Sequence, residues 1–163
     1  MSQQKDSVPT PDPKDVASID AIITALYDVI SGPKGETRDW NRLRSLFFPG
    51  ARMIPTATRP TGESGPRVLD VEGFIAAVRP YVEEQGFYER EIARRVDSFG
   101  KITQAFSAYD SRHKAEDPEP FSRGINSIQL VYDDARWWVV SVFWDAESPD
   151  NPIPQKYLES RTD

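Results

Sequence analysis

Two long apolar segments separated by a short polar break constrain this chain more than any other feature. They lie between Phe121 and Asp145 (FSRGINSIQLVYDDARWWVVSVFWD) and are divided by Asp133-Asp134-Ala135-Arg136. Apolar residues fill both parities on either side of the break, which predicts two strands covered on both faces and joined by a tight hairpin. A sheet of that kind must be packed against other elements, so the upstream chain reads as its covering.

At 163 residues the chain holds one domain with a real core and is too short for two comfortable ones. The balance of 26 acidic against 20 basic residues provides no basic excess to release counterions from nucleic acid, and we expect no nucleic-acid partner. No apolar run approaches the length of a membrane span, so no membrane partner is expected. The opening residues MSQQKDSVPTPDPK lack the apolar core of a signal peptide, which predicts a cytoplasmic protein. With no cysteine in the chain, disulfides, thiol nucleophiles and thiolate metal sites are excluded.

Upstream of the two strands the hydrophobic period changes. The polar, Pro-bearing residues 1–14 predict a disordered tail. Asp12-Pro13 or Ser18 can start a first helix, in which Val16, Ile19, Ile22, Ile23, Leu26 and Ile30 form one stripe with Tyr27 on its edge. Gly32-Pro33 stops it. Asp39 is placed to cap a short second helix with Trp40, Leu43, Leu46 and Phe47 on one side, and residues 51–55 can form a short strand. Residues 56–67 (TATRPTGESGPR) are too rich in Gly, Pro and Thr for a packed element and predict a mobile loop or a loose hairpin. Asp70 caps a third helix through Val71, Phe74, Ile75, Val78 and Val82, with Pro80 expected to kink or shorten it. From Phe87 to Lys114 charged and apolar residues alternate in two extended segments around Gly100. Three helices followed by a four-stranded antiparallel meander give an α+β domain over residues 15–146, with residues 147–163 as a C-terminal extension that Ile153, Tyr157 and Leu158 can pin to the body. A twisted sheet wrapped over three helices makes a cone open at one end, a natural small-molecule site.

The stretches IDAIITALYDVISG, DWNRLRSLFFPGARM and ARWWVVSVFWD, in that order, resemble the nuclear transport factor 2-like superfamily and its bacterial SnoaL-like branch. The resemblance covers residues 15–146 and implies three N-terminal helices packed on a curved antiparallel sheet. The superfamily hosts isomerases, dehydratases, cyclases, epoxide hydrolases and non-catalytic binders, so it implies a fold and not one activity. It also implies a homodimer through the outer sheet face. Alternation along the last strand puts Trp138, Val140, Val142 and Trp144 on one parity and Trp137, Val139, Ser141 and Phe143 on the other. By the resemblance the first set faces the pocket, and the second would be a sticky patch unless a partner covered it.

The candidate catalytic residues are Tyr27, Asp110, Arg112 and Asp145. Asp110 and Arg112 share a face because they lie two apart on one strand. The resemblance to epoxide hydrolases would group them with Asp145, but those enzymes place the acid after the arginine and this chain places it before. Tyr27 corresponds to the first-helix tyrosine of ketosteroid isomerases, while Asp39 is explained as a helix cap and no second acid has a convincing counterpart. A ligand is expected against Tyr27, Phe47, Met53, Tyr81, Gln129, Trp138 and Trp144. Asn126 and Gln129 lie on opposite parities, so one of them points inward. Glu89, Glu91, Arg95 and Asp97 form one parity of their strand and Arg90, Ile92, Arg94 and Val96 the other; we expect the first set in an ion-pair ladder on the outside of the sheet, since burying several charges is costly. His113 is expected as a solvated strand-end residue, and neither a metal nor a cofactor is expected. Three function classes stay open: a small-molecule binder, a cofactor-independent isomerase, dehydratase or cyclase, and a non-catalytic dimerisation or interaction module.

Overall fold

The fold is seen in a computed structural model that describes residues 8–57 and 61–162. Three helices, α1 (Ile19–Ile30), α2 (Trp40–Leu46) and α3 (Val71–Gln85), pack on one sheet made of β1 (Phe47–Pro55), β2 (Tyr88–Phe99), β3 (Ile102–Arg112), β4 (Ser122–Tyr132), β5 (Trp137–Ala146) and the short β6 (Arg161–Thr162). The expected capping holds at each helix start. Ser18 Oγ accepts from the Ala21 amide at 3.0 Å, Asp39 from Arg42 at 2.9 Å and Asp70 from Gly73 at 2.7 Å. Asp12 caps a separate one-turn 3-10 segment, Pro13–Asp15. Residues 1–7 of the tail lie outside the described residues.

The β2–β5 meander is antiparallel, as expected, but the full sheet is mixed. Its order is β1-β5-β4-β3-β2-β6, with β1 parallel to β5 and β6 parallel to β2. The strand expected over residues 51–55 is longer, because α2 runs directly into β1 at Phe47. The loop after it closes as a hairpin stem, with the Arg67 amide donating to Pro55 O at 3.0 Å and Met53 and Leu69 exchanging backbone bonds at 2.8 and 3.0 Å. Its residues 58–60 lie outside the described residues. Pro80 does not end α3, which continues to Gln85.

The β4–β5 hairpin turns at Asp133–Arg136, with Asp134 in the left-handed region at φ 72°. Two one-residue register shifts interrupt the meander. Glu91 faces Tyr109 and Ala93 faces Ala108, leaving Ile92 as the extra residue; Gln129 faces Ser141 and Leu130 faces Val139, leaving Val140 as the extra residue. Each is a β-bulge, and each reverses which side chains point toward the helices beyond it. The helix-facing set on β2 is therefore Glu89 and Glu91, then Arg94 and Val96. On β5 it is Trp137 and Val139, then Val142 and Trp144.

The core lies between the helices and the inner sheet face and includes the fully buried Ile22, Ile23, Leu43, Leu46, Ile128 and Val139. At its rim Arg38 is buried, and its guanidinium donates to the carbonyls of Ile30, Gly32, Pro33, Glu36 and Val82. It thus ties the exits of α1 and α3 together. A Cβ on Gly32 would meet that guanidinium at 2.7 Å, so glycine is needed there for the close approach.

Candidate functional site

The open end of the cone holds a cavity of about 310 Å³. Its walls are apolar: Leu26 and Ile30 from α1, Met53 from β1, Phe74 and Val78 from α3, Val142 and Trp144 from β5. Its polar floor is made by Tyr27, Glu89 and Asn126. Tyr81 stands half-exposed at the rim and pairs edge-on with Phe87, with ring centres 6.3 Å apart.

The floor is one hydrogen-bonded group. Asn126 Nδ2 donates to Tyr27 Oη at 3.0 Å and to Glu89 Oε1 at 3.1 Å. Tyr27 Oη lies 2.6 Å from Ser107 Oγ, and Ser107 Oγ donates to Glu91 Oε2. Arg94 holds Glu91 from the far side through Nε at 3.1 and 3.0 Å and Nη2 at 2.8 Å, and reaches Asp20 on α1. Three strands, β2, β3 and β4, and the helix α1 thus contribute to one polar line. Burial pushes the Glu89 carboxyl up to about 7, with the nearby Asp110 charge adding to it and the Asn126 hydrogen bond opposing it. Burial and the charge of Glu89 likewise raise the Tyr27 hydroxyl far above its ordinary value. Glu89 keeps some accessible surface, and it borders both the cavity and a depression between α1 and β2 shared with Thr24, Ser31, Arg90 and Arg112.

Of the residues singled out in the sequence, Tyr27, Met53, Tyr81 and Trp144 line this cavity. The others lie elsewhere, and the bulge at Val140 accounts for one of them, Trp138. Trp138 falls before the Val140 bulge and so on the opposite face from Trp144; it is buried against Phe48 edge-on at 5.5 Å and under the Arg136 guanidinium at 3.5 Å. Trp137 and Val139, expected outside, are on the helix side for the same reason. The ladder expected for Glu89 and Glu91 on the outside is likewise overturned, since both turn inward before the Ile92 bulge. Gln129 is exposed and accepts from Ser141 Oγ on the outer face, and it is Asn126 that points inward. Phe47 is buried in the core at 2 % exposure and does not line this cavity.

Asp145 is exposed and its carboxylate accepts from the Ala146 amide; alternation with Trp144 takes it out of the cone. Asp110 and Arg112 do pair and are buried, but on the parity opposite Ser107 and Tyr109. Burial alone would raise Asp110, yet hydrogen bonds from Arg90 and Arg112 outweigh it and hold the carboxyl below its ordinary value. The three-residue catalytic group expected from Asp110, Arg112 and Asp145 is therefore not assembled in the cavity. His113 is not a free strand end: its ring stacks on Phe121 at 4.1 Å and its Nδ1 meets Gly86 O at 3.1 Å. Among the described residues, no three acidic or histidine side chains gather in a way that could hold a metal ion. Among the same residues, no helix is long and apolar enough to cross a membrane.

Sequence reading missed Glu89 and Asn126 as site residues. The only signal for Glu89 was its parity on a charged strand, and the Ile92 bulge breaks that signal.

Three helices over a strongly curved mixed sheet, with a pocket at the open end, define a nuclear transport factor 2-like, cystatin-like cone, and the solved structures place this chain in that fold. It is similar to a nuclear transport factor 2-like protein of unknown function from Silicibacter pomeroyi (17% identity, 80% of this chain and 94% of that one, TM-score 0.56). It is also similar to a protein of unknown function with a cystatin-like fold from Nostoc punctiforme (11% identity, 85% and 94%, TM-score 0.59). A third is a proposed ketosteroid isomerase from Parabacteroides distasonis (12% identity, 88% and 98%, TM-score 0.55). No protein-family model matches the sequence, and no curated protein matches it.

Proposed function

We propose that the protein binds a small, largely apolar molecule in the cone. One observation carries this: an apolar cavity of about 310 Å³ closes on a short row of polar groups, the arrangement that orients a small ligand by one polar end. A filled interior would have favoured a purely structural or interaction role. Native mass spectrometry of the protein as purified, followed by the same sample denatured, tests the reading. A noncovalent small molecule lost on denaturation is the expected result, and lost again in a Trp144→Ala variant that keeps its fold. Retention of the same mass by that variant would place the molecule elsewhere and sink the proposal.

A second reading, a cofactor-independent isomerase or dehydratase, is favoured by Glu89. A carboxyl pushed up to about 7 exchanges its proton near neutral pH, as a general acid or base must. The likeness to a proposed ketosteroid isomerase points the same way. The co-purifying molecule incubated with the protein in heavy water would then gain deuterium at carbon, and would not with Glu89→Gln.

We also propose a homodimer through the outer sheet face, where Phe99 is 84 % and Ile102 61 % exposed beside Val140.

A further inference from the structure

With Glu89 ionised, the polar end of the cavity accepts hydrogen bonds and has none left to give. Both hydrogens of Asn126 Nδ2 are used, on Tyr27 Oη and Glu89 Oε1. Ser107 donates its proton to the Glu91 carboxylate, which Arg94 pairs from behind. Tyr27 receives from Asn126 and must therefore send its own proton to Ser107, so every donor in the row points away from the cavity. Glu89 Oε2 and Asn126 Oδ1 accept from no group among the described residues, and both side chains line the cavity. Trp144 packs edge-on against Phe74 and makes no hydrogen bond to this group, and the Tyr81 hydroxyl belongs to the rim.

We propose that the molecule taken by this cavity carries a basic nitrogen: a primary or secondary amine on a largely apolar body, whose ammonium donates to Glu89 Oε2 and Asn126 Oδ1. The inference rests on the binding reading and adds the ligand's polar group to it. A ketone or ester would set acceptors against acceptors, and a carboxylate would set like charge against Glu89, the one carboxylic acid among the cavity's described lining residues. An alcohol has a single donor for two acceptors. An ammonium offers at least two donors and also a charge that the buried carboxylate lacks.

The groups around Glu89 leave that role open. Tyr27 faces it from α1, and Tyr109 and Asp110 from β3. On its own strand Glu91 is paired with Arg94, and Arg90 and Arg112, which border the neighbouring depression, are committed to Asp110 and the Asp117 carbonyl. Among the described residues no cation therefore neutralises Glu89, and it is burial without a counter-ion that pushes its carboxyl up.

Three probes of one shape test this on the full chain: cyclohexylmethylamine, cyclohexylmethanol and cyclohexanecarboxylate, titrated by calorimetry at pH 8. The amine is expected to bind at least about tenfold tighter than the alcohol, with the carboxylate weakest, a separation that one buried charge pair supplies readily. Amine affinity should fall about tenfold per pH unit once Glu89 is protonated below about 7, while the alcohol stays flat. Glu89→Gln should bring the amine down to the alcohol's level. Should that variant fail to fold, the wild-type probe series and pH profile decide alone. An alcohol within twofold of the amine, a carboxylate that binds best, or a flat amine profile would overturn the inference and leave the binding reading standing. No binding by any probe would overturn both.

Discussion

Glu89 is neutral in the folded protein over a range in which it is ionised once the chain unfolds. Its carboxyl is raised from 4.5 to about 7 by burial, so between those values the folded state holds a proton that the unfolded state has lost. Stability must therefore fall as pH rises from about 4.5 to about 7, by up to roughly 3 kcal/mol from this group alone. Glu89→Gln, which keeps the hydrogen bond from Asn126 and has no charge to bury, should be more stable than the wild type at pH 8 and close to it at pH 4.5. Urea unfolding at the two pH values measures this, and a gap between the two proteins that does not widen with pH would show the carboxyl to be solvated. Asp110 works in the opposite sense: its carboxyl is held low by Arg90 and Arg112, so the stability it contributes is lost as pH falls through the acid range. Little of this was legible beforehand. Tyr27 could be picked out from its place on the stripe, but Glu89 looked like any other member of a charged strand, because nothing local tells a buried glutamate from a solvated one.

Among the elements, the helices were readable down to their caps, since Ser18, Asp39 and Asp70 act within three residues of themselves. The strands were readable as strands, and their faces were not. A bulge is decided by how two strands fit over their whole length, and one extra residue at Ile92 or Val140 exchanges inside for outside. This is why Trp144 lines the cavity and Trp138, on the far side of the bulge, does not. The joint between elements depends as strongly on one long-range group. Arg38 donates to carbonyls at the end of α1, in the loop that follows it and in the last turn of α3, the Gly32 and Val82 bonds being 2.7 and 3.0 Å. Arg38→Met would leave buried carbonyls without donors and should cost at least about 3 kcal/mol by urea titration. Arg38→Lys should recover only part of that, since an ammonium has three donors and no planar fork. Full recovery by lysine would show that charge matters there and geometry does not.

For the molecule as a whole, the C-terminal segment changes what the outer face offers. Tyr157 packs on Phe106 at 5.3 Å, Arg95 Nε donates to Lys156 O at 2.8 Å, and β6 adds to the edge of β2. The segment thus covers the β2–β3 half of the sheet near Phe106, while Phe99, Ile102 and Phe143 stay exposed. We expect a chain ending at Ala146 to keep the cone and its cavity, because none of the cavity's lining lies beyond Trp144. It should also associate more strongly than the full chain, as seen by light scattering on a sizing column. A truncated chain that loses its near-ultraviolet aromatic signal would instead make residues 147–163 part of the domain. The sequence alone determined the element order, the helix caps, the tight turn at Asp133–Arg136 and the α+β cone, since each follows from periodicity or from bonds between near neighbours. Only the tertiary structure decided which charges lie inside, which tryptophan meets the cavity and what the cavity's polar end can accept. Those outcomes depend on strand register and on burial, and both are settled between residues that are far apart in the chain.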